Sequence, residues 1–322
     1  MLTVPQNREK EFDGLENINK WSKNIEGVFM PKKFMEIHKK VDEWKVNEND
    51  VWIVSFPKTG TTWTQEMVWL LLNDLNYKAA EKNLIKRSPQ LEATAMVRTP
   101  YLNVFSPVIP HAIRNSLKYV KNKKSPACIK THLPLNLLPK ELKMGIKKPK
   151  IIYISRNPKD TCISYYYFSK LIKEFDGSLN EFCNLFLAGN VNFAPFWNHV
   201  LPFWEKRNEP NILFLKYEDL KSDLPAAISK TAKFLNKDLT QEQLGELTNH
   251  LSFESMEQNP SVNYEWLVKM SQMFKPDRKD KDNKFMRQGK VGGYKEAMAP
   301  TMIERFDNWT EKNTTGTGLT YL

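Results

Sequence analysis

The sequence predicts an α/β fold: a single domain with a central parallel sheet flanked by helices. Three observations carry this. The runs VWIVSF (51–56), KIIYISR (150–156) and NILFLK (211–216) are short, β-branched and aromatic, as fully buried strands are. Each is followed by a stretch of helix formers, and strands alternating with helices at this spacing form a parallel sheet covered on both faces. The 322 residues are 41% hydrophobic and 26% charged, the composition of an ordinary globular enzyme and not of a disordered or fibrous chain. A chain of this length buries roughly three quarters of its unfolded surface and needs no covalent staples.

The elements follow in order. Residues 1–45 are polar with a few apolar anchors, Phe12, Trp21, Phe29, Met30 and Phe34, and read as an N-terminal arm and short helix on a larger body at 46–306, with a tail at 307–322. The strand at 51–56 leads into the turn PKTGTT. Residues 63–72 then carry apolar side chains at helical spacing, at 63, 67, 70 and 71. Residues 81–125 are loop-rich, with prolines at 89, 100, 107 and 110. Residues 127–130 make a short strand before THLP. Pro158 opens the helix after the 150–156 strand. The strand at 211–216 precedes YEDL and a helix at 224–235, and 275–284 read as an exposed loop. No break in composition divides the chain, so 1–322 is taken as one domain.

Three cysteines are too few for a disulfide framework and fit a reducing compartment. The first dozen residues have no apolar core of signal-peptide length. The longest apolar run, MVWLLL, falls far short of the ~20 residues that span a bilayer. Cytoplasm is the expected location. Against 37 Asp and Glu stand 48 Lys and Arg, a formal net charge of +11. Such an excess suits nucleic acid, an anionic membrane or a polyanionic small ligand. The charge is spread along the chain, and no zinc finger, basic helix or RNA-recognition signature accompanies it. The sequence therefore predicts neither a nucleic-acid nor a membrane partner. The five histidines and three cysteines form no ligand-spaced pairs, and H-E-x-x-H is absent, so no metal site is predicted.

Three motifs carry chemistry. In the strand–PKTGTTW–helix segment, Gly60 sits in the turn, Thr59, Thr61 and Thr62 bring hydroxyls to the first helical turn, and Lys58 adds a point charge. Open N–H groups and the helix dipole make such a terminus an anion site. The lysine precedes the glycine by two residues, which departs from the NTPase pattern G-x-x-x-x-G-K-[ST] and argues against a kinase. A threonine-capped helix with a surface lysine fits the turn equally well. Trp63 is a core residue or a platform for a base. Arg156 ends a strand, where open α/β sheets bind ligands, and its fork suits a phosphate monoester; pairing with Asp160 is the alternative. Ser164 follows about two helical turns on. His132, beside Lys130, is a proton acceptor kept neutral by the neighbouring charge, or a packed or surface histidine.

Taken together, SFPKTGTTW (55–63), KTHLP (130–134), YISRNPKDTCISYYYF (153–168), LKYEDL (215–220) and FMRQGKVGG (285–293) resemble the cytosolic sulfotransferase family, five motifs in family order between about residues 30 and 306. The ending RFDNWTEKN and TGTGL is similar to the insect branch. The resemblance implies a five-stranded parallel sheet with a P-loop-like phosphosulfate turn. The implied donor is 3′-phosphoadenylyl sulfate (PAPS) and the product nucleotide adenosine 3′,5′-bisphosphate (PAP), with no metal. It implies that Lys58, Thr59, Gly60, Thr61 and Thr62 hold the phosphosulfate and that Trp63 stacks on adenine. Arg156 and Ser164, with Arg287 and Gly289 from the stretch that also carries Phe285, Met286 and Gln288, hold the 3′-phosphate. Tyr217, Phe253 and Met256 line the base. His132 is implied as the base, with Lys58 at the leaving oxygen and Lys130 at the sulfonyl oxygens. Phe29, Tyr101, Phe105, Phe168 and Tyr264, with part of 266–274, are the expected walls for a small apolar acceptor. A phenol is favoured because it ionises readily and stacks well; a steroid or aliphatic alcohol, or a silent nucleotide-binding relative, are the alternatives. Gln288 stands where the family usually has lysine, Gly293 and Tyr294 where it has Asp-Trp, and Leu251 where threonine is common. These departures imply weaker donor binding. The dimer motif KxxxTVxxxE survives only at Lys295 and Glu304, which leaves a homodimer open.

Overall fold

The computed structural model describes residues 21–97, 109–172, 174–274 and 284–321. Its central sheet is built from β3 (Val51–Val54), β4 (Cys128–Thr131), β5 (Lys150–Ser155) and β6 (Ile212–Lys216), all parallel, in the order β4-β3-β5-β6. The sheet thus has four strands among the described residues and not five; the four runs identified from sequence are its strands.

Alternate residues of each strand enter different cores. Trp52, Val54, Ile151 and Tyr153 pack on one face, and Val51, Ile53, Ile152 and Ile154 on the other. That two-sided burial is why the strands read as continuous apolar runs. The helices that position the site are α1 (Thr61–Leu72), α2 (Pro158–Leu171), α3 (Phe196–Glu205), α4 (Leu224–Phe234), α5 (Gln241–His250), α6 (Phe253–Gln258), α7 (Glu265–Phe274) and α8 (Pro300–Thr314). Pro158 is the first residue of α2, and the Asn157 side chain accepts from Lys159 N–H. Helix α8 runs through position 306, and Phe306 and Leu319 are buried in the first core, so the C-terminal segment is packed onto the body.

The described part of the N-terminal arm, from residue 21 on, carries a hairpin as well as a short helix. Residues 22–31 form an antiparallel hairpin, β1 (Ser22–Ile25) and β2 (Val28–Pro31), followed by a 3-10 turn at Lys32–Glu36 and a single helical turn at His38–Asp42. Glu26 and Gly27 both have positive φ, the conformation a two-residue hairpin turn requires. Phe29, Met30 and Phe34 are buried, whereas Trp21 is exposed. Phe12 lies outside the described residues. No helix of the described residues is long and apolar enough to cross a membrane.

Candidate active site

Each strand of the sheet delivers a polar residue just past its carboxyl end: Ser55 and Lys58 after β3, His132 after β4, Arg156 after β5 and Tyr217 after β6. The strand order turns back beside β3, where open α/β sheets form their crevice.

The turn after β3 is strained and specific. Lys58 has φ +71° and Gly60 φ +108°. A Cβ on Gly60 would stand 2.9 Å from the Tyr217 ring, so only glycine fits there. The Thr59 side chain turns inward, its hydroxyl shared between the carbonyls of Phe56 at 2.8 Å and Ile154 at 2.9 Å. It ties the turn to the sheet and does not face the cleft. No side chain caps α1. Thr61 bonds Ser55 Oγ at 2.7 Å instead, and the N–H groups of the first turn stay open among the described residues. The threonine-capped alternative is thereby excluded.

Around this turn lies a cationic cleft. It is lined by Lys58, Gly60, Thr61, Thr62, Trp63, Arg156, Ser164, Tyr217, Phe253, Met256, Phe285, Met286, Arg287, Gln288 and Gly289. All the residues expected for the donor thus come together except the Thr59 side chain. Tyr167, Lys221, Leu251, Lys284 and Lys290 also line it. The Arg156 guanidinium lies 4.2 Å from the Tyr217 ring centre and donates to the Lys290 carbonyl at 2.7 Å. Among the described residues it makes no ion pair with Asp160. That carboxylate instead accepts the N–H groups of Gly292 at 2.7 Å and Tyr294 at 3.1 Å, which shapes the turn where Gly293 and Tyr294 replace the usual Asp-Trp. Trp63 meets Tyr217 edge-on at 5.6 Å. Gly289 has φ +59°, and a Cβ there would fall 2.4 Å from the Phe253 ring.

The cleft suits a polyanionic nucleotide. Arg156 Nε and Trp63 Nε1 are buried polar atoms without partners among the described residues. Lys58 Nζ, with no counter-ion among the described residues, lies 3.9 Å from the Phe285 ring centre and 4.7 Å from that of Phe168. Burial brings the Lys58 pKa down to about 7, helped by the charges of Lys130, Arg156 and Arg287. Burial also lowers Lys130 to about 8, against the pull of Glu92.

Beside the cleft is an apolar chamber of about 240 Å³. Phe168 and Tyr264 line it, with Trp266 and Leu267 from α7, Phe193, and several aliphatic side chains from 85–113. Lys130, His132, Phe168 and Phe285 line both spaces, so cationic cleft and apolar chamber meet at the histidine. Tyr264 packs on Phe285 with ring centres 4.5 Å apart. Phe29 is not a wall: it is buried elsewhere, its backbone paired with Phe193 and Ala194. Tyr101 and Phe105 lie outside the described residues, as do the side chains of 270–274.

His132 is buried, and its Nδ1 lies 2.8 Å from the Ser55 carbonyl. A carbonyl only accepts, so Nδ1 carries the proton and Nε2 is left as the ring's acceptor. Burial, and then Lys130, hold its pKa well below the ordinary value, so the ring is a neutral base. Its backbone N–H donates to Glu92 Oε1 at 2.8 Å. Glu92 is fully buried and also takes the Thr131 hydroxyl at 2.9 Å. Neither Glu92 nor Phe193 was visible to motif reading; Glu92, just after a proline-containing loop, carries no local pattern that separates it from a surface acid. Among the described residues no cluster of His, Cys, Asp and Glu that could hold a metal is found.

Comparison with known proteins agrees with this arrangement. Residues 48–318 match the sulfotransferase domain family. Luciferin sulfotransferase of Photinus pyralis is 40% identical over 284 residues, covering 88% of this chain and 76% of that protein. Sulfotransferase 1B1 of Mus musculus is 36% identical over 304 residues, covering 93% and 94%. A solved structure of retinol dehydratase with androsterone and the inactive cofactor PAP superimposes with TM-score 0.82 at 26% identity, over 99% of this chain and 96% of that one. The uncapped, cation-lined turn, the buried histidine at its edge and these similarities lead to one conclusion: this chain belongs to the sulfotransferase family and is a PAPS-dependent sulfotransferase that yields PAP.

Proposed function

We propose that the protein sulfonates the hydroxyl of a small apolar acceptor, a phenol above all, with His132 as the base. The observation that carries this reading is the junction of cleft and chamber at Lys130 and His132. The chamber walls are aromatic and aliphatic, which suits a flat ring, and a hydroxyl reaching the junction would lie beside a neutral imidazole.

PAPS, when bound, supplies the sulfonate for in-line attack by the acceptor oxygen. Arg156, Ser164, Arg287 and Gly289 are suited to its 3′-phosphate, Trp63, Tyr217, Phe253 and Met256 to its base, and the open N–H groups at residues 60–62 to its 5′ end. His132 Nε2 takes the acceptor proton while Nδ1–H stays on the Ser55 carbonyl. Lys58 neutralises charge on the departing phosphate oxygen, and Lys130 charge on the sulfonyl oxygens. The anionic donor offsets the cationic surroundings that depress His132, so the imidazole gains basicity when it is needed.

The experiment is transfer of labelled sulfonate from PAPS to a panel of phenols, sterols, aliphatic alcohols and amines. Phenol sulfates as the main product support the favoured acceptor. Product with sterols or aliphatic alcohols alone moves the assignment to that class, a reading favoured by the likeness to retinol dehydratase solved with retinol and with androsterone. In that case product analysis separates a stable sulfate ester from one that eliminates. Tight PAP binding with no product from any class would mark a silent relative.

A further inference from the structure

Resting on the reading of His132 as base, we propose that His199, backed by Tyr153, is its positioning residue: the Nε2–H of His199 holds the His132 carbonyl and so fixes where the imidazole stands. His132 follows the last residue of β4, beyond the reach of the sheet's own hydrogen bonds. A buried carbonyl there must find another partner. Its partner is a side chain of α3: His199 Nε2 lies 2.9 Å from the His132 oxygen. A carbonyl accepts, so Nε2 carries the proton, and Nδ1 must be the acceptor. The Tyr153 hydroxyl stands 2.8 Å from Nδ1 and supplies that donor.

Tyr153 is itself held. It lies on β5, with its ring stacked on Phe203 at 4.5 Å and on Phe214 at 5.1 Å. Phe56 meets the His199 ring edge-on at 5.6 Å. Both His199 and Tyr153 are fully buried, and burial takes the His199 pKa down to about 4, which keeps its tautomer neutral. The chain Tyr153–His199–His132 therefore joins β5, α3 and the end of β4 through a run of directed hydrogen bonds. With Glu92 on the N–H, His199 on the carbonyl and Ser55 on the ring, His132 is held at three points. A base displaced by an ångström loses up to about a hundredfold in rate, which makes such fixing consequential.

The test compares His199→Phe, which fills the space without a donor, with His199→Gln, whose amide places a donor near the Nε2 position. We expect His199→Phe to lower kcat roughly 10- to 100-fold with PAP affinity within about threefold of wild type, and His199→Gln to recover most of the loss. In a His132→Ala background His199→Phe should cost nothing further, because its effect runs through His132. Should His199→Phe fail to fold, Tyr153→Phe carries the test: it frees the tautomer of His199 and should lower kcat roughly 3- to 10-fold at unchanged PAP affinity. Unchanged kcat in these variants, PAP affinity falling in step with kcat, Gln no better than Phe, or losses that multiply with His132→Ala each overturn the proposal. His132→Ala at full turnover removes the base reading itself; an inactive His132→Ala beside a fully active His199→Phe removes only the positioning role.

Discussion

The buried carboxylate of Glu92 holds the backbone of His132, accepting its N–H at 2.8 Å while Gln90 donates to the same oxygen at 2.6 Å. Its charge also sustains the ammonium of Lys130, whose pKa burial lowers to about 8. Glu92→Gln keeps an acceptor but removes the charge, so Lys130 should lose its proton at lower pH. The alkaline limb of the kcat profile should move acidward. Glu92→Ala should in addition lower Tm, since it strands the His132 N–H and the Thr131 hydroxyl at about 1–3 kcal/mol each. An alkaline limb that stays in place in Glu92→Gln contradicts the electrostatic part of this account.

Lys58 makes donor binding proton-linked. With a pKa near 7 in the free cleft, it is partly neutral where enzymes are assayed. A polyanion favours the ammonium, so binding PAP should take up protons above that pH. PAP affinity should fall as pH rises from about 7 to about 9, by up to tenfold per unit for each proton taken up. Calorimetry in two buffers of different ionisation enthalpy measures the uptake. Affinity independent of pH across that range would show that Lys58 does not meet the nucleotide.

Two glycines should tolerate no side chain. Gly60→Ala drives a Cβ to 2.9 Å from Tyr217, and Gly289→Ala to 2.4 Å from Phe253, both at positive φ. Each should cost about 1–3 kcal/mol of strain, expressed as weaker PAP binding for both and a lower Tm. Titration with PAP and a thermal melt check this; wild-type values for Gly60→Ala would mean that the turn relaxes without cost.

Much of this site was legible because its chemistry sits where secondary structure changes. SFPKTGTTW, KTHLP and ISRNPKD each pair an apolar strand with a polar residue at its end, and the strands Val51–Val54, Cys128–Thr131, Lys150–Ser155 and Ile212–Lys216 lie within the expected segments or a residue of them. Other features depend on tertiary contact. Thr59 looks like its neighbouring threonines, yet the carbonyls of Phe56 and Ile154 draw its hydroxyl inward. Phe29 looks like a pocket aromatic, but the hairpin pins it against 193–194. The Glu26-Gly27 turn was a local hairpin signal, masked by the polar arm around it. Glu92 and His199 reach His132 from 40 and 67 residues away, a distance over which no spacing rule operates.

The buried histidine at position 199 also predicts an acid sensitivity. Its folded pKa of about 4 lies below the ordinary 6.5, so the unfolded chain binds the extra proton first. The stability it permits is intact above the ordinary value and lost as pH falls through the folded one, by up to about 3 kcal/mol. His199→Gln lacks this loss. Urea unfolding across that window should therefore show wild type losing more stability than His199→Gln; parallel losses would indicate a histidine that charges as easily in the fold as outside it.

The central claim is that sulfonate crosses from the cationic cleft to the apolar chamber at His132. Single-turnover transfer of labelled sulfonate from PAPS to an accepted substrate, in wild type and His132→Ala, tests it most directly. The account predicts that His132→Ala binds PAP with wild-type affinity yet transfers sulfonate at least about 10²-fold more slowly. Transfer at the wild-type rate in His132→Ala would contradict it.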